Sequence, residues 1–392
     1  RNESNTTVAP IGWTKLGSDI NGEAAGDYFG SSVSLSSDGT IVAIGATWND
    51  GNGNSAGHVR VYKYSNSAWT KSGDDIDGEN ENDYFGSSVS LSSDGTILAI
   101  GASEGGNLLN NGMRPGHVHV FQRNESNTTV APIGWTRLGN FIYGETSGDS
   151  SGYSVSLSGD GSIVAIGARY NYGDTGYTAG HVRVYERNES NTTQAPIGWT
   201  KVGYDINGEA ASDLSGWSVS LSDDGSIVAI GANYNDGNGA DSGHVRVYQR
   251  DLYQNTAAPI GWRKLGNDID GEAAGANSGS SVSLSSDGTI VAIGAPYRYD
   301  ESVGSTNAGV VRIYQYSNSA WTKLGDDIDG EAIGDESGWS VSLSSDGSIV
   351  AIGATKNDGN GNAAGHVRVY QTGASSTTTT TSTFAAIPPD IT

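Results

Sequence analysis

The sequence predicts an all-β protein, a six-bladed β-propeller of four-stranded antiparallel blades, and three observations predict it. One unit recurs six times, marked by Trp13, Trp69, Trp135, Trp199, Trp262 and Trp321 and again by Asp-Gly pairs at Asp38, Asp94, Asp160, Asp224, Asp287 and Asp346. The repeat of about 60 residues lies just above the usual blade length. Apolar runs are short, and no stripe of helical period is long enough for a helix. The composition, with 58 Gly and 8 Pro in 392 residues, suits many short strands joined by tight turns.

Each element of the unit follows from local pattern. In Ser32 to Ser36, Val33 and Leu35 alternate with small serines, the period of a half-buried strand. Ser37-Asp38-Gly39 is a hairpin turn. Ile41 to Ala46 is continuously apolar, as expected of a strand buried on both faces. A variable polar loop leads to a third strand, His58 to Tyr62, and a fourth carries Trp69-Thr70-Lys71. Serines in the first strand fit a crowded axis, and Trp and Tyr in the outer strands fit a wider rim.

The chain opens on a fourth-strand segment, Gly12 to Gly17, and its last copy ends on a third strand, His366 to Tyr370. The N-terminal strand is therefore expected to complete the last blade and remove the open edges. The alternative, a linear solenoid, requires capping units that the sequence does not show. Residues 1–371 read as the propeller. Residues 372–392, with their Thr run and Pro388-Pro389, read as a Thr/Ser/Pro-rich linker or stalk, so the propeller is expected to be part of a longer chain or assembly.

The net charge of −23 disfavours nucleic acid and anionic lipid as partners and attracts cations. No apolar run reaches the roughly 20 residues of a membrane span, so no direct membrane insertion is expected. Cysteine is absent, which excludes disulfides and thiol chemistry.

The sequence Tyr28-Phe29-Gly30, Ser32-Val33, Ile44-Gly45-Ala46 and Gly57-His58-Val59-Arg60-Val61-Tyr62 resembles the FG-GAP repeat, as found in the integrin α-subunit propeller and in bacterial and algal surface proteins. The resemblance runs over residues 12–371. The literal Phe-Gly stands at Phe29-Gly30 and Phe85-Gly86; at Ser151-Gly152, Ser215-Gly216, Ser278-Gly279 and Ser337-Gly338 the Gly persists behind Ser. The resemblance implies an extracellular or cell-surface protein. Integrin-type repeats also hold calcium in loops of alternating Asp and Asn ending in Gly-Asp, a pattern from which this sequence departs.

Calcium is the one cofactor the residues suggest. Asp50, Asn52 and Asn54, then Asp358, Asn360 and Asn362, place oxygen ligands at alternate positions with Gly between, and Asp236, Asn238 and Asp241 nearly repeat them. The same residues also form ordinary turns. A Gly-Glu-x-x-x-Asp pattern, as at Glu23 and Asp27 or Glu145 and Asp149, offers a carboxylate ring or, as the favoured reading, caps for the inter-blade turn. Aromatics collect in the variable loops, with Trp48, Tyr170, Tyr234 and Tyr297 as ligand-contact candidates, while Tyr153, Trp217 and Trp339 stand just before inner strands. Paired sequons give Asn2, Asn5, Asn124, Asn127, Asn188 and Asn191 as glycosylation candidates. His58, His117, His181, His244 and His366 share one blade position, which points to a structural hydrogen bond rather than catalysis.

The expected function is a non-enzymatic, extracellular adhesion or surface-assembly module, glycosylated, meeting a protein partner or a glycan through its loop face. The alternative is a multivalent carbohydrate-binding lectin. A propeller hydrolase or lyase ranks third: it needs one blade with unique acidic or His residues at the axis, and the inner strands are nearly uniform.

Overall fold

The structure is a computed structural model that describes residues 15–106, 114–173, 175–251, 261–297, 307–359 and 363–371. All regular elements among them are strands, and they form six blades. Blade 3 shows the pattern. Ser151–Leu157 pairs with Ile163–Ala168, which pairs with His181–Arg187. The outer edge is shared by two short strands, Trp199–Lys201 and Ile206–Asn207, which pair with opposite ends of the third strand. The single fourth strand read from the sequence is thus split. Gly203 turns the chain at φ 68° between the halves, and Val202 N donates to Val184 O at 2.8 Å.

The Asp-Gly turns fold as expected. Asp160 Oδ1 accepts from Ser158 Oγ at 2.7 Å and from Ser162 N at 2.8 Å, which fixes the hairpin between the first two strands. The same bonds hold the Asp346 carboxyl down to about 2. The Gly that persists behind Phe or Ser is a bulge: pairing shifts register between Ser151 and Ser154, and Gly152 sits at φ 88°, where a side chain would be strained.

The core lies between blades. Ile97, Val118, Val120 and Ile142 of blade 2 pack on Val155, Leu157, Ile166 and Trp199 of blade 3. Four junctions are also pinned at the rim. Trp199 Nε1 donates to Leu138 O at 3.0 Å, and Trp135, Trp262 and Trp321 make the same bond to Ser72, Val202 and Leu265.

Blade 6 has three strands, Ser337–Leu343, Ile349–Ala354 and His366–Gln371. Its closure by the N-terminal strand is not seen among the described residues; residues 1–14, which hold part of that strand, lie outside them, as does the segment 372–392. The described part of the segment lies against blade 1, where Leu16 O accepts from Trp69 Nε1 at 2.9 Å.

Candidate functional site: an aromatic end of the axis

The second strand reads Ile-Val-Ala-Ile-Gly-Ala in five blades and Ile-Leu-Ala-Ile-Gly-Ala in the other. Two residues beyond its end, uniformity stops: the position holds Trp48, Glu104, Tyr170, Tyr234, Tyr297 and Lys356 in turn. The position after the bulge glycine is equally variable and carries Tyr153, Trp217 and Trp339 in blades 3, 4 and 6. Both positions lie at the same end of the inner strands, so the fold gathers them on one end of the axis.

There the rings meet. Trp48 lies 5.5 Å from Tyr28 and 5.6 Å from Tyr84. Trp217 lies 5.1 Å from Tyr153 and 6.2 Å from Tyr234, and Tyr297 is 6.3 Å from Trp339. Arg169 lays its guanidinium over Tyr153 at 3.5 Å, Tyr170 at 4.4 Å and Trp217 at 4.6 Å, within cation–π range. Its buried Nε has no hydrogen-bond partner. Beside Tyr297, the buried Glu336 carboxylate accepts from Lys356 Nζ at 2.7 Å. Burial raises the pKa values of Tyr153 and Tyr297, so both phenols stay neutral donors. Trp48, Tyr234 and Trp339 remain substantially exposed. All four ligand-contact candidates therefore share this end of the blades. The sequence reading missed Arg169 and the Glu336–Lys356 pair, which a comparison of variable columns across the repeats exposes.

The loops proposed for calcium are folded on themselves. Asp50 Oδ1 accepts from Ser55 N at 2.7 Å, and Asn52 Nδ2 donates to Gly78 O at 2.7 Å. Asp236 and Asn238 repeat both bonds with Asp241 N and Gly271 O, and Asp358 accepts from Ala363 N. These bonds support turns. Asn360 and Asn362 lie outside the described residues.

The Gly-Glu-x-x-x-Asp aspartates are caps: Asp149, fully buried, accepts from Thr146 N at 2.8 Å and from Asn171 Nδ2 at 3.0 Å. The glutamates pair with the arginines of the third strand, as Glu23 with Arg60 and Glu209 with Arg246. Three sets have metal-ligand proximity: Glu23, His58 and Asp75; Glu145, His181 and Asp205; Glu209, His244 and Asp268. In the first and third a guanidinium already bridges the two carboxylates, with Arg60 Nε 3.0 Å from Asp75 and Arg246 Nε 2.9 Å from Asp268. His58, His117, His181 and His244 are buried and His366 is half-buried, and among the described residues one ring nitrogen in each has no hydrogen-bond partner, so that nitrogen makes no structural hydrogen bond.

Blade 2 breaks the arginine pattern. His119 stands where the other blades have Arg60, Arg183, Arg246, Arg312 and Arg368. Arg137 replaces the missing charge, 3.3 Å from Glu79 and 4.5 Å over the Phe141 ring. A cleft of about 840 Å³ lies here between blades 1 and 2, lined by Asp77, Glu79, His119, Trp135 and Arg137.

The sequon asparagines differ in role; Asn2 and Asn5 lie outside the described residues. Asn127 Nδ2 donates to Val130 O, Pro132 O and Trp135 O at 2.8, 3.1 and 2.7 Å, and Asn191 repeats the arrangement. Asn124 and Asn188 each spend one bond on a threonine hydroxyl. Asn127→Asp turns a carboxylate toward three carbonyl oxygens, and a loss of about 2 kcal/mol is expected, well above that for Asn124→Asp. Urea unfolding of the two variants checks this; equal losses would mean that the inward bonds contribute little.

These features define a β-propeller of internal repeats with a variable, aromatic end. The FG-GAP repeat family matches at residues 21–62, 77–121 and 207–248. FG-GAP repeats thus stand at three positions of this β-propeller, and its remaining blades follow the same sequence pattern. No curated protein matched the sequence. Among solved structures, one from Bacteroides uniformis ATCC 8492, named as a candidate 6-phosphogluconolactonase, is similar at a TM-score of 0.54 and 13% identity, covering 87% of this chain and 80% of that one. Hydrazine synthase of Kuenenia stuttgartiensis is similar at a TM-score of 0.48 and 13% identity, covering 87% and 83%. The first likeness shows the fold alone.

Proposed function

We propose that this chain is a non-enzymatic, extracellular binding module for adhesion or surface assembly, and that it meets a glycan through the aromatic end of its axis. The observation that carries the reading is the clustering of Tyr153, Trp217 and Tyr234 under and beside Arg169. A pyranose ring has an apolar C–H face and a hydroxyl edge. The face suits an exposed indole, and the edge suits the neutral phenols, Arg169 and the Glu336–Lys356 pair. Three aromatic groups at alternate junctions give several contacts to one extended chain, which raises avidity. The inner strands near this end carry Ser, Val and Leu in every blade, which supports binding rather than chemistry.

The test is a glycan array followed by titration calorimetry on the best hit. Trp217→Ala is expected to weaken binding at least tenfold, and Tyr204→Ala, an exposed ring on the rim, to leave it unchanged. Failure of every glycan to bind, or equal affinity of both variants, would remove the carbohydrate reading.

A further inference from the structure

Arg169 is unlike every other described arginine. The third-strand arginines, Arg60, Arg183, Arg246, Arg312 and Arg368, each meet a glutamate. The remaining described arginines spend N–H groups on side-chain or backbone oxygens. Among the described residues Arg169 makes neither a hydrogen bond nor an ion pair, although the chain carries 44 acidic residues against 21 Lys and Arg. Its hold is π contact alone, 3.5 Å over Tyr153, 4.4 Å over Tyr170 and 4.6 Å over Trp217. Such contact engages the charge and uses none of the five N–H donors. The residue is half-buried and its Nε is buried, so leaving the donors unspent is costly.

The carboxylates at this end are committed elsewhere. Glu336 is held by Lys356 Nζ at 2.7 Å and accepts from Thr355 Oγ1 at 3.3 Å, and Glu104 accepts from Ser150 Oγ at 3.3 Å. A second unspent group lies one blade on. Asn233 follows the second strand of blade 4 as Arg169 follows that of blade 3. It is 2% exposed, its Nδ2 donates to Ser280 Oγ at 3.4 Å, and its Oδ1 has no partner. Ser280 stands just after the bulge glycine of blade 5, where blade 4 has Trp217, so Asn233 belongs to the same end of the axis.

A neutral sugar would leave the guanidinium without a counter-charge, and a cation would be repelled. An oxyanion supplies both the opposite charge and two parallel acceptors for the guanidinium fork. Given the glycan reading above, on which this rests, we propose that the sugar chain met at this end is acidic: a carboxylate or sulfate on one sugar seats on the N–H donors of Arg169, while a hydroxyl of that sugar donates to Asn233 Oδ1, directly or through a water. The net charge of −23 repels a dense polyanion, and one guanidinium neutralises one group, so the acidic sugars are sparse along an otherwise neutral chain.

A glycan array of matched pairs tests the charge separately from the sugar. Oligosaccharides bearing a single glucuronate or galacturonate are printed beside their carboxyl-reduced forms, and singly sulfated galactose oligosaccharides beside their desulfated forms. The unaltered chain is expected to bind the acidic member of its best pair about tenfold more tightly than the neutral member, the worth of a hydrogen bond to a charged group. Which pairs show the preference tells carboxylate from sulfate. Titration calorimetry on the best pair then follows the acidic-to-neutral ratio. Arg169→Gln is expected to abolish the preference, whereas Trp217→Ala weakens both members and leaves the preference in place. Because a ratio is read, a general loss from disturbed ring packing cancels, and the preference of the unaltered chain needs no variant. Equal affinities within every pair, tighter binding of the neutral members, or a preference that survives in Arg169→Gln would overturn the acidic reading while the glycan reading stands. Silence of the whole array would remove both.

Discussion

Gly167→Ala is expected to prevent cooperative folding, whereas Gly353→Ala, at the same repeat position, is expected to be tolerated. Neither glycine has a left-handed φ, so the contrast is one of space alone. A Cβ on Gly167 would overlap the carbonyl oxygen of Gly216 in the next blade, and backbone on both sides prevents it from moving. Overpacking a rigid contact costs about 3 kcal/mol or more. It would also break the Ser154–Gly216 bond that ties the blades. On Gly353 the Cβ would meet only Ser340, whose hydroxyl can rotate away. Far-ultraviolet circular dichroism during thermal melting separates the two outcomes. Equal destabilisation would show that the junction beyond blade 6 is as crowded as the others.

Stability is expected to fall as the pH drops from about 6.5 towards 4, before most carboxylates titrate. Burial holds His117 and His181 at pKa values of about 4 and pushes His119 well below its usual range; His58 and His244 are lowered for the same reason. The native protein keeps these rings neutral, while the unfolded chain takes up protons from about pH 6.5 downward. The unfolded state therefore binds more protons in this window, and its gain reaches about 2 kcal/mol for each of His117 and His181 by pH 5. Asp327 and Asp346, pulled down to about 2, keep their contribution until the pH falls below the ordinary aspartate value. Asp77, Glu79 and Asp83, raised by burial, act in the opposite sense. Melting temperatures from pH 7.5 to 4.5 test the expectation. The His117→Asn/His181→Asn variant should lose less over that range than the parent, and parallel curves would count against the histidines.

The fold was legible because each blade states its own rules. The alternating Ser-Val-Ser-Leu, the continuous Ile-Val-Ala-Ile-Gly-Ala after its Asp-Gly hairpin, and the His-Val-Arg-Val-Tyr run identify three strands from local pattern, and they stand where expected. The split outer strand was not legible: Ile206–Asn207 is two residues long and owes its pairing to the third strand, a contact between blocks that no local period records. The persistence of glycine was visible, but its reason, the bulge at Gly152 and the crossing of Gly167 beneath Gly216, required neighbouring blades. The site was partly legible. Tyr170, Tyr234 and Tyr297 are far apart in sequence and share one end of the axis only because each follows the same strand of successive blades. Arg169 escaped notice because a charged residue in a polar loop carries no signal within its own blade; comparison across the blades singles it out, and its stacking on three rings gives the reason.

The near-identity of the junctions has a genetic corollary. If every seam accepts every neighbour, a blade behaves as an exchangeable cassette. Recombination between copies could reorder, delete or duplicate whole units without creating a misfit inside the barrel of strands. What such shuffling would rewrite is the sequence of rings and charges around one end of the axis. A lineage could in this way try new combinations of contacts while its scaffold stays unchanged.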